Sequence, residues 1–528
     1  MTRHVKQRDE ECAVDAAEAT GMSGAPALVW FQHDLRLADN PAFNAAVERG
    51  TPVIPVFIWA PEEEGRWRPG AASQWWLHYS LAALGAELEK HGSRLIVRRG
   101  PAGAALNDLV AESGASAVFW NRRYEPAAIA RDRTLKSQLE KIGVEVESFD
   151  GNLLFEPGTI RNGRGEPYRV FTAFWKACLF QPLATTFRNA PEKLRAPVKW
   201  PRSLALSELK LEPAVDWAGG LREGWQPGER GAKVQLKRFM KAALQNYSTG
   251  RDRPGDVGTS RLSPHLHFGE VSPREVWRTI HDMANDGAVD SQAACDAYLR
   301  QIGWREFAYH LLYHFPQSAE QCLRPEFAAF PWMKDAKALR TWQRGKTGYP
   351  LVDAGMRELW HTGWMHNRVR MVVASFLVKH LLIGWQQGAD WFWEKLVDAD
   401  LANNSLGWQW VAGCGSDASP YFRIFNPVIQ GEKFDPAGEY VRRWVPELAR
   451  LPDRWIHKPW KAPASKLTEA GLLLGRDYPF PMIAHDEARE RALEALRSTS
   501  QTSPIQCHVQ RPSLKTLTHP HRRRRKRL

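Results

Sequence analysis

Between Gly363 and Pro427 the sequence concentrates side chains suited to binding and reaction as well as packing. Asp398 and Asp400 stand two apart, Asn403 and Asn404 follow, and Trp408-Gln409-Trp410 closes the run. Met365-His366-Asn367-Arg368 lies upstream. A buried core needs none of these at such density. Close carboxylates suit metal binding or acid–base work, but no His or third carboxylate joins them at ligand spacing, so no metal site is expected. A buried Asp paired with Arg, orienting the polar edge of a ring, fits better. On a helix Asn367 and Met371 lie four apart and share a face. Arg368 and Arg370 flank them, so one can meet a phosphate while the other pairs with a buried acid such as Asp398. An ordinary amphipathic helix, with solvated Arg and core Met, is the plainer alternative. Together these residues suit a pocket for a large aromatic cofactor beside a nucleic-acid surface.

Two further clusters carry weaker signals. Gly258-Thr259-Ser260-Arg261-Leu262-Ser263 offers three hydroxyls and an Arg ahead of a helix, a set that can donate to phosphates. Taken alone, a plain polar loop with a helix cap is the favoured reading. Trp304-Arg305-Glu306-Phe307 places an indole beside a cation, a stacking platform for a nucleobase or simply core. Of the 24 Trp, 16 lie between residues 217 and 460, too concentrated for bulk filler alone.

These clusters need elements to hold them. Ala27–Phe31, Val53–Ile58, Arg94–Arg98, Ala117–Trp120 and Val144–Phe149 read as buried strands. Asn40–Arg49, Ser73–His91, Ala102–Ser113 and Ala127–Ile142 read as the helices between them. This alternation predicts an α/β, doubly wound parallel sheet over 25–155, with ligands at the carboxyl ends of the strands. No GxGxxG follows the first strand, so an ordinary dinucleotide site is not expected there. Residues 156–225 are rich in Pro, Gly and charge and read as a connector. From 226 to 490 helical periods dominate, at Phe239–Leu244, Ala297–His314, Met356–Leu382 and Asp390–Leu396, predicting a large all-α domain. Ser272-Pro273-Arg274-Glu275 has the chemistry of a helix start. Residues 1–24 read as a disordered extension and 491–528 as a disordered basic tail.

The chain has 528 residues and a net charge of +13, of which six positive charges lie in His521–Leu528. A moderately basic body fits a polyanionic partner. Six scattered Cys without a CxxC exclude a zinc ribbon, an iron–sulfur cluster and a disulfide framework, and suit the cytoplasm. No apolar run is long enough to span a membrane, and a monomer is expected.

Taken together, these motifs resemble the photolyase/cryptochrome family, and the bacterial deoxyribodipyrimidine photolyases most. Trp30–Asn40 (WFQHDLRLADN) looks like that family's opening signature, and Arg344–Pro350, Val352–Arg357 and Pro420–Pro427 add matches. The resemblance covers about 27–489. It implies an N-terminal α/β antenna domain and an all-α C-terminal FAD-binding domain. It also implies light-driven repair of cyclobutane pyrimidine dimers in UV-damaged DNA, by electron transfer from excited reduced FAD to a flipped-out dimer.

By that resemblance, Tyr247 and Thr259, Ser260, Arg261, Leu262 and Ser263 bind the FAD phosphates and ribose, and Tyr298 lies near the cofactor. Arg370 and Asp398 pair beside the flavin, Ala399 and Asp400 lie at its edge, and Asn404 faces its N5. Trp408, Trp385 and Trp332 match an electron-transfer chain to the surface. Trp304 and Trp410 wall the lesion pocket, Asn367 reads a pyrimidine edge, and Met371 packs on the lesion. Arg251, Arg305, Arg368, Arg423 and Gln430 are candidate DNA contacts. Gln301 stands where many dimer-specific members carry Glu. Gln there also occurs in six-four photolyases, but their His pair is replaced by Asn367 and Met371, so six-four repair ranks below a cryptochrome-like photoreceptor as an alternative. Trp120–Glu125 marks a strand end for an antenna pigment, methenyltetrahydrofolate or a deazaflavin.

Overall fold

The computed structural model describes residues 24–183, 187–285, 292–418 and 422–502. The extension expected at 1–24 and the basic end of the tail lie outside the described residues, apart from Gly24 and the stretch up to 502.

Three apolar runs buried on both faces and two partly exposed edge strands form a five-stranded parallel sheet. Its strands are β1 (Ala27–Phe31), β2 (Val53–Trp59), β3 (Ile96–Arg99), β4 (Ala117–Asn121) and β5 (Glu145–Phe149), in the order β3-β2-β1-β4-β5. Alternate residues face opposite layers. Val29, Phe31 and Phe119 pack on α1 (Pro41–Glu48) and α2 (Ala71–Lys90). Leu28, Trp30 and Val118 pack with α3 (Ala102–Ser113) and α4 (Pro126–Lys141) on the other side. The expected doubly wound sheet is present, and its order reverses between β1 and β4, where a ligand crevice opens.

The opening motif is an interdomain clasp. Arg36 is buried and donates to the carbonyls of Asp39 (2.9 Å), Gly151 (2.6 Å) and Gly269 (2.9 Å). Asn40 caps α1 by accepting the Phe43 N–H (3.1 Å), and the Asn121 amide donates to Asp34 (2.6 Å) and Asn40 (2.7 Å). Glu270, fully buried in the helical half, accepts from Trp76 of α2 (2.9 Å) and from the Gly228 N–H (2.7 Å).

The connector is less irregular than its composition suggests. It contains α5 (Phe171–Leu179), whose Phe171, Phe174 and Trp175 are buried against the next domain. Beyond it come α6 (Glu229–Ala242), α7 (Pro273–Asn285) and α8 (Gln292–His314). Ser272 caps α7 as expected, accepting the Glu275 N–H at 2.9 Å. The single helical period expected over 356–382 is interrupted. α9 (Pro350–Thr362) ends at Gly363, whose φ of 64° no branched residue adopts readily, and α10 (Asn367–Ser375) starts afresh. α11 (Trp385–Lys395) and α12 (Leu401–Ala412) follow.

The boundary expected at 490 is also displaced. α13 (His485–Thr502) continues past it, burying Ala488 and Ala492 on the turn 376–380, where Arg491 donates to the His380 carbonyl (2.5 Å). Its alanine stripe supplies apolar packing that the polar composition concealed. Among the described residues no helix is long and apolar enough to cross a membrane.

Candidate functional site

The helical domain assembles its candidate site around one ion pair. The start of α10 swings Arg370 toward the loop before α12, where its Nη2 reaches both oxygens of Asp398 (3.0 and 2.8 Å). The Asp398 side chain is only 3 % exposed, so its charge depends on this partner. Two residues on, Asp400 caps α12 by accepting the Asn403 N–H (2.8 Å) and also accepts the Tyr309 hydroxyl. Burial by itself would raise the Asp400 carboxyl, but the facing His267 and Arg305 and the Tyr309 bond hold it well below the usual carboxylate range. Ala399 lines the cavity toward the first domain, so this turn stands between that cavity and the ion pair. Asn404 donates to the Ala389 carbonyl (3.1 Å), which fixes its amide.

Tyr247 and Tyr298 are buried edge to face, 5.2 Å apart, with Phe239 4.5 Å from Tyr298. The 259–263 loop leans on them. The Ser260 carbonyl accepts from Gln235 (2.8 Å), and the Ser263 hydroxyl accepts from the Trp364 indole (3.2 Å). The Arg261 side chain departs from its expected role. Its guanidinium lies between the Trp225 and Trp364 rings (4.2 and 5.0 Å), so the loop offers a phosphate its N–H and hydroxyl groups and not this cation.

His366, part of the Met365–Arg368 cluster but given no role of its own there, takes one in the fold. Its Nδ1 accepts the Arg368 N–H (3.2 Å) and caps α10. Burial first, then the neighbouring arginines, push its pKa down to about 4. The ring is therefore neutral near pH 7, carries its proton on Nε2, and leaves that buried donor without a protein partner. Arg261 Nε, Arg368 Nε and Trp408 Nε1 are likewise buried and unpartnered. Orphan donors around a buried ion pair fit a large group with polar edges, as FAD has.

The expected relay residues differ in exposure. Trp408 is 2 % exposed, Trp385 is fully buried, and Trp332 is half-buried. Trp408 rests on Gly388, where any side chain would collide with its ring, one turn along α11 from Trp385. Its ring contacts are Phe392 (5.0 Å) and Trp342 (6.4 Å). Trp332 lies beside Gly384, at the start of the same helix.

The expected DNA face is partly assembled. Trp304 is half-buried and stacks face to face on Phe171 of α5, at 3.7 Å and 8°. One turn back, Gln301 accepts from Arg251 (2.9 Å) and donates to the Ala297 carbonyl (3.0 Å). Arg368 pairs with Asp252 (2.7 Å). Asn367 is exposed at the start of α10, and Met371 and Trp410 are half-buried against the large helical core. Arg423 is exposed, and Gln430 Oε1 is buried without a partner. Arg305 is a correction: it is buried and donates to the Asn152 carbonyl (2.9 Å) at the domain interface. Successive helical residues diverge by about 100°, so the neighbour of an exposed Trp points inward. Phe171 was missed because a stacking partner 133 positions upstream leaves no local signal.

A second cavity, of about 320 Å³, opens at the carboxyl ends of β1, β2 and β4. Gln32, His33, Trp59, Trp67, Arg123 and Glu125 line it, and Trp393 of α11 closes it from the helical side. Arg123 pairs with Glu64 (2.5 Å) and Glu125 (3.2 Å), so its charge is spent within the wall. Of the expected stretch Trp120–Glu125, Arg123 and Glu125 reach the cavity. Trp120 packs on Trp30, and Arg122 pairs with Glu156.

Comparison with known proteins agrees with this geometry. Residues 27–195 match the DNA photolyase family and residues 298–498 the FAD binding domain of DNA photolyase. The chain is 50 % identical over 480 residues to a deoxyribodipyrimidine photo-lyase of Agrobacterium fabrum, covering 91 % of this chain and 99 % of that protein. It is 44 % identical over 486 residues to cryptochrome-1 of Arabidopsis thaliana, covering 90 % and 70 %. A bacterial class III photolyase structure from Agrobacterium tumefaciens superposes with a TM-score of 0.88 at 50 % identity, covering 92 % and 99 % of the two chains. The sheet, the helical cage and these matches together establish that the chain belongs to the photolyase/cryptochrome family.

Proposed function

We propose that the protein uses light to repair cyclobutane pyrimidine dimers in DNA, with FAD held in the helical domain. When bound, the flavin supplies the light-driven electron. The protein's part is to bind, orient and shield. Arg370 and Asp398 fix each other beside the ring, Asn404 presents its amide to the ring edge, and Tyr247, Thr259, Ser260, Leu262 and Ser263 receive the phosphate and ribose portion. Trp408, Trp385 and Trp332 pass electrons from the surface inward by short hops.

A dimer leaves the duplex more cheaply than an intact pair, which costs a few kcal/mol to unstack. Trp304 and Trp410 receive it, with Asn367 on a base edge and Met371 below. Arg251, Arg368, Arg423 and Gln430 hold the flanking strand, so affinity falls with salt. The observation that carries this reading is Trp304, stacked on one face by Phe171 and half-open, with Arg251 and Gln301 one turn away. A half-open indole beside a cation is a seat for an unstacked base.

The test is illumination of the purified protein with a dimer-containing oligonucleotide and reductant. Recovery of thymine absorbance is expected. Intact flavin photoreduction without recovery supports a cryptochrome-like photoreceptor instead. The interdomain cavity suits an antenna pigment, methenyltetrahydrofolate or a deazaflavin, which the absorption spectrum of the holoprotein distinguishes. The protein is taken to work as a cytoplasmic monomer.

A further inference from the structure

Two thiols meet beside the middle tryptophan of the proposed relay. Cys322 sits in the loop after α8, and Cys414 directly follows the end of α12. Gln409 fastens one strand of chain to the other. Its amide nitrogen donates to the carbonyls of Ser318 (2.7 Å) and Gln321 (2.9 Å), and its oxygen accepts the Leu323 N–H (3.0 Å). The Arg324 N–H donates to the Cys414 carbonyl (2.9 Å), so backbone bonds bracket the pair. Between these pins the two thiols lie close enough to shift each other's ionisation. The Trp385 indole N–H points at the same sulfur, 3.3 Å from Cys322 Sγ.

The pair is asymmetric. Cys322 is half-buried, whereas Cys414 is fully buried. Contact with Cys414 draws the Cys322 thiol below its ordinary value, and the same contact, with burial, pushes Cys414 up. Lys379, whose pKa burial pushes well down, lies near Cys414 and donates to the Ala412 carbonyl (2.7 Å). An accessible, readily ionised thiol backed by a buried one is the arrangement of an attacking and a resolving cysteine. The other described thiols, Cys178 and Cys295, are buried and pushed up by that burial, so they serve as internal controls.

We propose that Cys322 and Cys414 form a redox-active dithiol that hydrogen peroxide converts to a disulfide, and that this conversion tunes Trp385. The Cys322 thiolate attacks one peroxide oxygen and the O–O bond breaks. The departing hydroxide takes up a proton as water, leaving Cys322 as a sulfenic acid. Cys414 gives up its proton and displaces the sulfenic hydroxyl, which leaves as a second water while the S–S bond forms. Two electrons pass from sulfur to oxygen, so two thiols and one peroxide give one disulfide and two waters. A neutral disulfide sulfur accepts the indole N–H less well than an ionisable thiol, so removing an electron from Trp385 becomes harder. This second half rests on the relay reading; the thiol chemistry does not.

The experiment titrates the purified holoprotein with hydrogen peroxide, alkylates the remaining thiols and maps peptides by mass without reduction. A Cys322–Cys414 linked peptide is expected, separated by dithiothreitol, with Cys178 and Cys295 still alkylated. Flavin photoreduction should slow by roughly two- to tenfold, the worth of one ordinary hydrogen bond. In Cys414→Ser, or Cys414→Ala should the first fold poorly, no linkage forms and peroxide leaves the photoreduction rate unchanged. If Cys322 and Cys414 stay as alkylatable as Cys178, or Cys322 oxidises further without linking, the dithiol is refuted. Linkage with unaltered photoreduction refutes the tuning. Trp385→Phe separates the relay: if that variant photoreduces like the parent, the relay reading fails while the linked peptide still stands.

Discussion

The interdomain cavity and the helical cage face each other across the Asp398–Asp400 turn, and they treat charge differently. In the cavity the cations are matched within the wall: Arg123 by Glu64 and Glu125, Arg131 by Asp132 (2.8 Å). Gln32 Nε2, an amide nitrogen, is left without a partner there, while His267 Nδ1 faces Asp400 (3.7 Å). In the cage and its DNA face Arg370 and Arg368 are matched as well, by Asp398 and Asp252, but Arg261 lies between two indole rings and Arg251 meets the Gln301 amide and the Tyr247 ring. A wall that neutralises its own ions suits a flat, largely uncharged pigment. A cation such as Arg251, which meets an amide and a ring in place of a carboxylate, suits a phosphate. What distinguishes two aromatic pockets is therefore the charge each leaves over, not the number of rings.

The sharpest way to break this contrast is Arg370→Ala. It strands the Asp398 carboxylate in a buried setting, at a cost of roughly 3–5 kcal/mol. The purified variant should be colourless in the flavin region, and its loss of melting temperature checks the energetic half. Trp304→Ala should keep the flavin but weaken binding to dimer-containing DNA by about 1–3 kcal/mol, read by titration against the parent. Phe171→Ala should follow the same direction with a smaller effect, about 1 kcal/mol for the lost ring pair.

A pH experiment sharpens the cage itself. Burial lifts the Glu358 pKa to about 7, against bonds from Tyr440 (2.6 Å) and the His366 N–H (3.3 Å). A raised folded pKa stabilises most below the unfolded value of 4.5, and that stability is lost as pH climbs through about 7. Glu358→Gln should remove this slope, leaving a difference on the order of 3 kcal/mol between parent and variant across that window in denaturant melts. The mildest change is Trp67→Ala in the cavity, which should remove a second absorption band while flavin content and dimer repair under direct flavin excitation persist.

How much of this was legible depends on the range of the interactions. The central strands were visible because each is a short apolar run buried on both faces, the edge strands by their place in the strand–helix alternation, and α3 matched residue for residue. The Arg370–Asp398 pair was legible because an isolated Asp in apolar sequence demands a cation. The clasp of Arg36 was not, since its carbonyl partners Gly151 and Gly269 lie 115 and 233 positions away. Arg261 misled for a similar reason: its clamp, Trp225 and Trp364, comes from both sides of the loop along the chain. The period over 356–382 hid a break because Gly363 stops one helix and His366 starts the next in four residues. The stretch beyond 490 looked polar throughout, and only the alanine spacing of Ala488, Ala492 and Ala495 marked a docked face.

Chromophore release from the parent protein, Arg370→Ala and Trp67→Ala puts the division between the two pockets to a direct test. Each protein is denatured and the released small molecules are separated and identified. The parent should yield FAD and a second pigment, Arg370→Ala should lose the FAD, and Trp67→Ala should lose only the second pigment. FAD retained by Arg370→Ala, or lost from Trp67→Ala, would contradict the assignment of the flavin to the helical cage.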